Sequence, residues 1–293
     1  MSASARLPFA FAIGGIAILC GMDALIKEAG ARYPTFQLAF LRFCAGFLCT
    51  SLAVIWLRPG FPSRETIRVN ALRGALGAFT ATTFFYSLQT LPLAEAIAFS
   101  FLSPLFLALF GALILREAIG RSTVYGLGFG FAGMLVMTFA PSLAGGLGSV
   151  LAGSKPLHLP GVGAAILSAV SYAFGLVLLR QRAQQDALVI IVLFQTMVPA
   201  TLLTIPALLV WQPVPASDIP LFLAMGALGL FGHLMMAKAF ATAEAARLAP
   251  SEYSALIFAS ILGYVFFSEV PGLATLAGLT LVIAGTVLAM GRR

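Results

Sequence analysis

Residues 74–79 read GALGAF and residues 226–231 read GALGLF, one phrase repeated 152 positions later with a single letter changed. Laying 74–133 over 226–285 at that offset, without gaps, matches 16 of 60 positions. Two stretches this rich in Ala, Leu and Gly should agree by chance at roughly one position in eleven. The matches run from Gly74/Gly226 and Gly77/Gly229 through Glu117/Glu269 to Gly126/Gly278 and Gly133/Gly285. Glycine pairs recur along the whole stretch, which shared hydrophobicity does not explain. The chain is an internal duplication.

The solvent follows from composition. Of 293 residues, 60% are hydrophobic and 9% charged, and the mean hydropathy is +1.03. A soluble domain carries about a quarter charged residues, so this chain reads as an integral membrane protein. A helical span needs roughly 20 mostly apolar residues. That ruler gives ten spans, near 8–26, 35–57, 70–90, 95–115, 122–140, 160–180, 187–210, 219–241, 249–267 and 273–291. The short alternating segments of a membrane barrel are absent from the sequence. The predicted fold is all-α, ten transmembrane helices in two five-helix repeats.

Parity then sets the topology. Five spans per copy is an odd number, so the second copy enters the membrane upside down. Inverted repeats of this kind build many secondary transporters, with the substrate site at the repeat interface near the midplane. The first repeat occupies 1–140 and the second 160–293. A Gly-rich external linker, PSLAGGLGSVLAGSKPLHL (141–159), joins them. The halves are not separate domains, because each needs the other to enclose a site.

Twelve of the 17 basic residues, among them Arg58, Arg64, Arg73, Arg116, Arg180 and Arg293, fall at span ends or loops on one side. Three (Lys27, Arg32, Lys155) fall on the other, and Arg42 and Lys238 lie within spans. The positive-inside rule puts both termini in the cytoplasm, in a plasma membrane of the bacterial inner-membrane type. The net charge of +7 is therefore a topology signal and not a nucleic-acid surface. Cys20, Cys44 and Cys49 lie within spans without metal-ligand spacing, and read as small core residues.

With these residues in view, the chain resembles the EamA-type members of the drug/metabolite transporter superfamily over nearly its whole length. The resemblance rests on ten spans in two halves and on the runs LPLAEAIAFSFLSPLFLALFGALILRE (91–117) and APSEYSALIFASILGYVFFSE (249–269), with GLGFGFAGMLVM (126–137) closing the first half. It implies carriage of small metabolites, amino acids included, and many bacterial members are exporters. Leu256 stands where the first half has Pro104, so a proline-bent helix is expected in one half only.

Several features could carry chemistry. Gly128, Gly130 and Gly133 spell GxGxxG inside an apolar span, where glycines bring helices together and no dinucleotide fold exists. Gly74 and Gly77, like Gly226 and Gly229, form small stripes that either pack on a neighbour or leave room for substrate; His233, Met236 and Phe240 continue the second. Ser168, Ser171 and Tyr172, with Tyr86 and Tyr253, are further candidates for the substrate path, as is His233. Ionisable groups inside a membrane are costly and functional by default. Lys238 and Glu252 sit at similar depth on consecutive spans and are expected to pair, as are Asp23 and Arg42 near the other face. Each pair is either a static contact or a gate. Glu117 and Glu269 read as caps or loop contacts at helix ends.

Only two histidines occur, and neither HExxH nor GxSxG is present, so an intramembrane enzyme has no catalytic set. No charged ring or filter loop marks a channel. No catalytic residue, metal or cofactor is assigned. The expected partners are a small solute and the bilayer, with the chain a monomer or a homodimer. A path lined by Gly, Ser, Tyr, Phe and Met suits neutral or zwitterionic metabolites, above all amino acids, aromatic or apolar ones included. The expectation is an exporter working by alternating access; an importer or exchanger of another metabolite or drug is the alternative.

Overall fold

In a bilayer every backbone polar group must be satisfied inside its own segment, which leaves the helix as the economical solution for an apolar chain. A computed structural model describes residues 3–90, 99–144, 159–268 and 270–290, and no strand occurs among them. Among the described residues the first copy forms α1 (Ala3–Gly30), α2 (Thr35–Leu57), α3 (Arg64–Thr90), α4 (Ser103–Leu115) and α5 (Arg121–Ala144). The second copy supplies α6 (Leu159–Ala183), α7 (Leu188–Leu209), α8 (Ile219–Thr242), α9 (Ser254–Phe267) and α10 (Leu273–Ala289). Among the described residues, six helical segments are long and apolar enough to cross a membrane by length and composition, and α4 and α10 are shorter apolar helices. Most of the expected linker, 145–158, and Glu269 lie outside the described residues, as does 91–98 at the start of the fourth span.

The helices gather into two compact units. One comprises Phe79–Val177 and Glu244–Arg293, the other Ser2–Ala78 and Leu178–Ala243. The units thus cut across the duplication: α4 and α5 share a unit with α9 and α10, and α1 and α2 share one with α7 and α8.

Glycines decide the helix contacts in each. In the first unit, a Cβ on Gly133 would stand 2.6 Å from the carbonyl oxygen of Gly278, and one on Gly285 would stand 2.9 Å from that of Gly126. Gly126 and Gly133 are the repeat partners of Gly278 and Gly285, so the contact maps onto itself under the 152-residue shift. As α5 advances, α10 recedes; the two run antiparallel at their glycines. In the second unit, a Cβ on Gly74 would lie 2.7 Å from both the Phe194 oxygen and Val198 Cβ, and one on Gly226 would lie 2.6 Å from the Ala45 carbonyl. This contact also maps onto its twin, α3 on α7 answering α8 on α2. Close backbone approach is what small residues supply in membrane helices. The GALG phrases are seats for neighbouring helices.

Each end of the second unit is pinned by charge. At one end Asp186 accepts hydrogen bonds from Arg182 (2.6 and 2.8 Å), Thr66 (2.8 Å) and Asn70 (2.9 Å), while Arg182 also reaches Glu65 at 3.0 Å. At the other, Asp218 accepts from Arg32 at 2.8 Å and Tyr33 at 2.5 Å. Between them Met22, Ala45, Phe222 and Met225 form a buried apolar cluster.

The expectation of a proline bend in only one half is corrected. Pro104 occupies the first turn of α4, and the second copy is interrupted as well. A one-turn helix (Ala245–Leu248) passes through a 3-10 stretch (Ala249–Tyr253) before α9 begins. The interrupting proline there is Pro250, at the start of the 3-10 stretch, where its missing N–H is harmless.

Candidate functional site

The first unit holds the hydroxyl-bearing candidates, and most are already engaged. Thr80 and Ser171 hydroxyls lie 2.8 Å apart, Ser168 donates to the Thr80 carbonyl at 3.1 Å, and Ser171 donates to the Ser168 carbonyl at 3.0 Å. Ser168 and Ser171 are buried, so in this conformation they fasten α3 to α6. Tyr172 is partly exposed and its hydroxyl donates to Glu252 at 3.0 Å. Glu252 therefore has a neutral partner in its own unit; Lys238 of the expected ion pair belongs to the other unit, where it is exposed. Tyr253 is fully buried, stacks on Phe101 at 6.0 Å and donates to the Phe101 carbonyl at 3.3 Å. Its ring lies directly against Gly130, which makes it part of the core. Tyr86 is exposed. Glu117 accepts from the backbone N–H of Ala246 at 3.2 Å, a loop contact at a helix start.

The second unit contains a small cleft among α1, α2, α7 and α8. Gly46 and Gly229 leave the room for it, Met22, Phe43 and Met225 form an apolar wall, and Arg42, Gln195, Thr196 and His233 supply the polar groups. The Thr196 hydroxyl is spent on the carbonyls of Val192 and Leu193. His233 Nδ1 lies 2.7 Å from the Gly229 carbonyl oxygen. Arg42 does not form a hydrogen-bonded pair with Asp23. Its guanidinium lies 4.6 Å over the Phe43 ring, its Nε donates to Met22 Sδ at 3.4 Å, and Asp23 acts on it only through space.

Two members of this region escaped the sequence reading. Gln195 sits in an apolar run, LFQTM, as a neutral side chain, yet its Oε1 is buried without a hydrogen-bond partner. Arg73 reads from sequence as an anchor at a span end. It is 6% exposed, gives one hydrogen bond to the Ile191 carbonyl at 3.1 Å, and leaves its Nε unpartnered. A count of apolar neighbours could not have separated either from ordinary span residues; an inventory of unsatisfied polar atoms does.

Comparison with known proteins agrees with the duplication. The model of the EamA-like transporter family matches twice, over residues 7–139 and 159–291. The chain is 33% identical over 270 residues to the pseudopaline exporter of Pseudomonas aeruginosa, covering 91% of this chain and 89% of that one. It is 26% identical to the S-adenosylmethionine uptake transporter of Rickettsia prowazekii (90% and 86%) and 27% identical to human solute carrier family 35 member G1 (97% and 77%). A solved crystal structure matches with a TM-score of 0.79 over 98% of both chains at 24% identity, a likeness of fold. Family and relatives are transporters, so this multi-pass membrane protein moves small molecules and is not an enzyme. With both halves matched separately, the chain belongs to the EamA-like transporter family.

Proposed function

We propose that the protein exports amino acids or closely similar zwitterionic metabolites across a bacterial-type inner membrane by alternating access, with both termini in the cytoplasm. The observation that carries the mechanism is the paired glycine seats. α5 and α10 meet antiparallel at contacts that exchange under the 152-residue shift, and α3 on α7 mirrors α8 on α2. A two-fold relation between antiparallel copies is what an inverted repeat needs, and inverted repeats give a site two equivalent exits.

The substrate class is supported by what the spans offer. Hydroxyls, an amide, an imidazole and single guanidinium groups on separate helices suit a small zwitterion. A polyanion would call for several clustered cations free to bind it. Direction rests on family resemblance, since the relatives include both an exporter and an uptake transporter. Import or exchange of another metabolite is the second reading, favoured by the uptake relative. Proteoliposomes carrying the full chain and loaded with a labelled amino-acid panel should release some members with saturation and mutual competition. Silence across the panel, alongside saturable release of non-amino-acid metabolites, would overturn the substrate assignment.

A further inference from the structure

We propose that the cleft among α1, α2, α7 and α8 seats the head group of an α-amino acid, with Arg42 clamping the carboxylate and Gln195 Oε1 and His233 Nε2 accepting from the ammonium. This deepens the amino-acid reading above and rests on it.

The groups on offer are complementary to a zwitterion. The Nη groups of Arg42 make no hydrogen bond to any described residue, leaving a planar fork of donors open. A guanidinium in that state matches a carboxylate in two-pronged fashion. Its one present acceptor is a thioether sulfur, Met22 Sδ, among the weakest acceptors a protein has; a carboxylate displaces it readily.

Acceptors face the other charge. A carbonyl oxygen only accepts, so His233 Nδ1, at 2.7 Å from Gly229 O, carries the ring proton of the neutral imidazole. Nε2 then holds a lone pair, and it has no partner among the described residues. The buried, unpartnered Oε1 of Gln195 is a second acceptor without a donor. Leaving a buried acceptor unmet is costly, and an ammonium brings three donors. One turn along α3 from Gly77, where a Cβ would stand 3.0 Å from the Gln195 amide nitrogen, Arg73 adds positive potential with no counter-ion among the described residues. The arrangement fits neither a lone cation, which Arg42 repels, nor a polyanion, which the acceptors repel.

Space is the remaining condition. As it stands the cleft has room for about one water molecule. Its apolar wall contains Met22 and Met225, unbranched side chains with several rotatable bonds that can repack to enlarge it. Gly46 and Gly229 keep the floor clear for the head group.

The test separates the two charges. Full-length protein in proteoliposomes is loaded with a transported labelled amino acid and challenged with the same amino acid, its carboxamide and its deaminated acid. Wild type should prefer the intact amino acid over either analogue by about tenfold, the usual effect of losing a charge-assisted hydrogen bond. Arg42→Gln should erase the preference over the carboxamide, and Gln195→Leu should shrink the preference over the deaminated acid. Arg42→Lys, which keeps the charge but not the fork, serves if Arg42→Gln fails to fold, and should reduce the first preference. Variants that lower flux while leaving all preferences intact would overturn the seat. If no amino acid is carried at all, the transport reading fails by itself, and binding decides the seat. A melting temperature raised by amino acids over their carboxamides in detergent-solubilised wild type, and not in Arg42→Gln, keeps it; no such difference removes it.

Discussion

Two acids are held in opposite ways. Among the described residues Glu252 accepts from one neutral donor, Tyr172, at 3.0 Å, an arrangement that binds the carboxylate weakly enough to be exchanged. Glu252→Gln is expected to slow transport several-fold while the protein still inserts and purifies as a folded species. Flux equal to wild type in proteoliposomes would remove Glu252 from the transport cycle. Asp186 is held firmly. Burial alone would push its carboxyl up, but hydrogen bonds from Arg182, Thr66 and Asn70 and the Arg182 charge prevail and keep it below the usual carboxylate range. A lowered folded-state value contributes stability that is present above the unfolded value of about 3.9 and lost as pH falls through the lowered one. The melting temperature of the solubilised protein should therefore drop as pH falls below about 4. Asp186→Asn should cost about 3 kcal/mol at neutral pH, because it leaves the buried Arg182 without its closest partner, and should flatten that acid limb.

At the element scale the glycines divide by what stands over them. Gly226 has the Ala45 backbone 2.6 Å from where a Cβ would lie, and backbone cannot step aside. Gly226→Ala should force α8 off α2, cost about 2 kcal/mol and lower the yield of folded protein. Gly175, on the α6 stripe with Ser168 and Tyr172, has nothing within 4 Å. Gly175→Ala should hold or raise the melting temperature, by up to about 1 kcal/mol of helix propensity, so a fall in transport there would report on the path and not on folding. Thermal melts of the two variants beside wild type check both. Repetition is itself a signal that sequence carries: GALGAF and GALGLF mark positions 74 and 226 without reference to any neighbour. Sequence is unreadable where meaning depends on a partner. Arg73 counts as one more positive charge until Ile191 is seen beside it, and Gln195 is one polar letter in an apolar run until its oxygen is seen unmet. Likewise a 3.6-residue count puts Glu252 and Tyr253 at the start of a regular span, whereas Pro250 turns that stretch into a 3-10 segment whose register no such count follows.

Parity links the duplication to the topology of the protein. Glycine contacts that exchange under a 152-residue shift recur in both compact units, and each unit draws helices from both copies. The proposed inverted repeat, with five spans per copy and the copies oppositely oriented, accounts for this, and its orientation would be set by where the basic residues fall. On the expected spans, twelve of them fall on one side and three on the other. On the proposed inverted topology, ten crossings would return the C-terminus to the side of the N-terminus, and the 141–159 segment, reached after five, would lie across the membrane. A reporter that works only in the cytoplasm should be active when fused after Arg293 and silent when inserted within 141–159, and a reporter that works only outside should give the reverse. Activity of the same reporter at both positions would mean an even number of crossings in the first copy. The inverted repeat would then fall, and with it the argument that the site has two equivalent exits, even though membership of the family would stand.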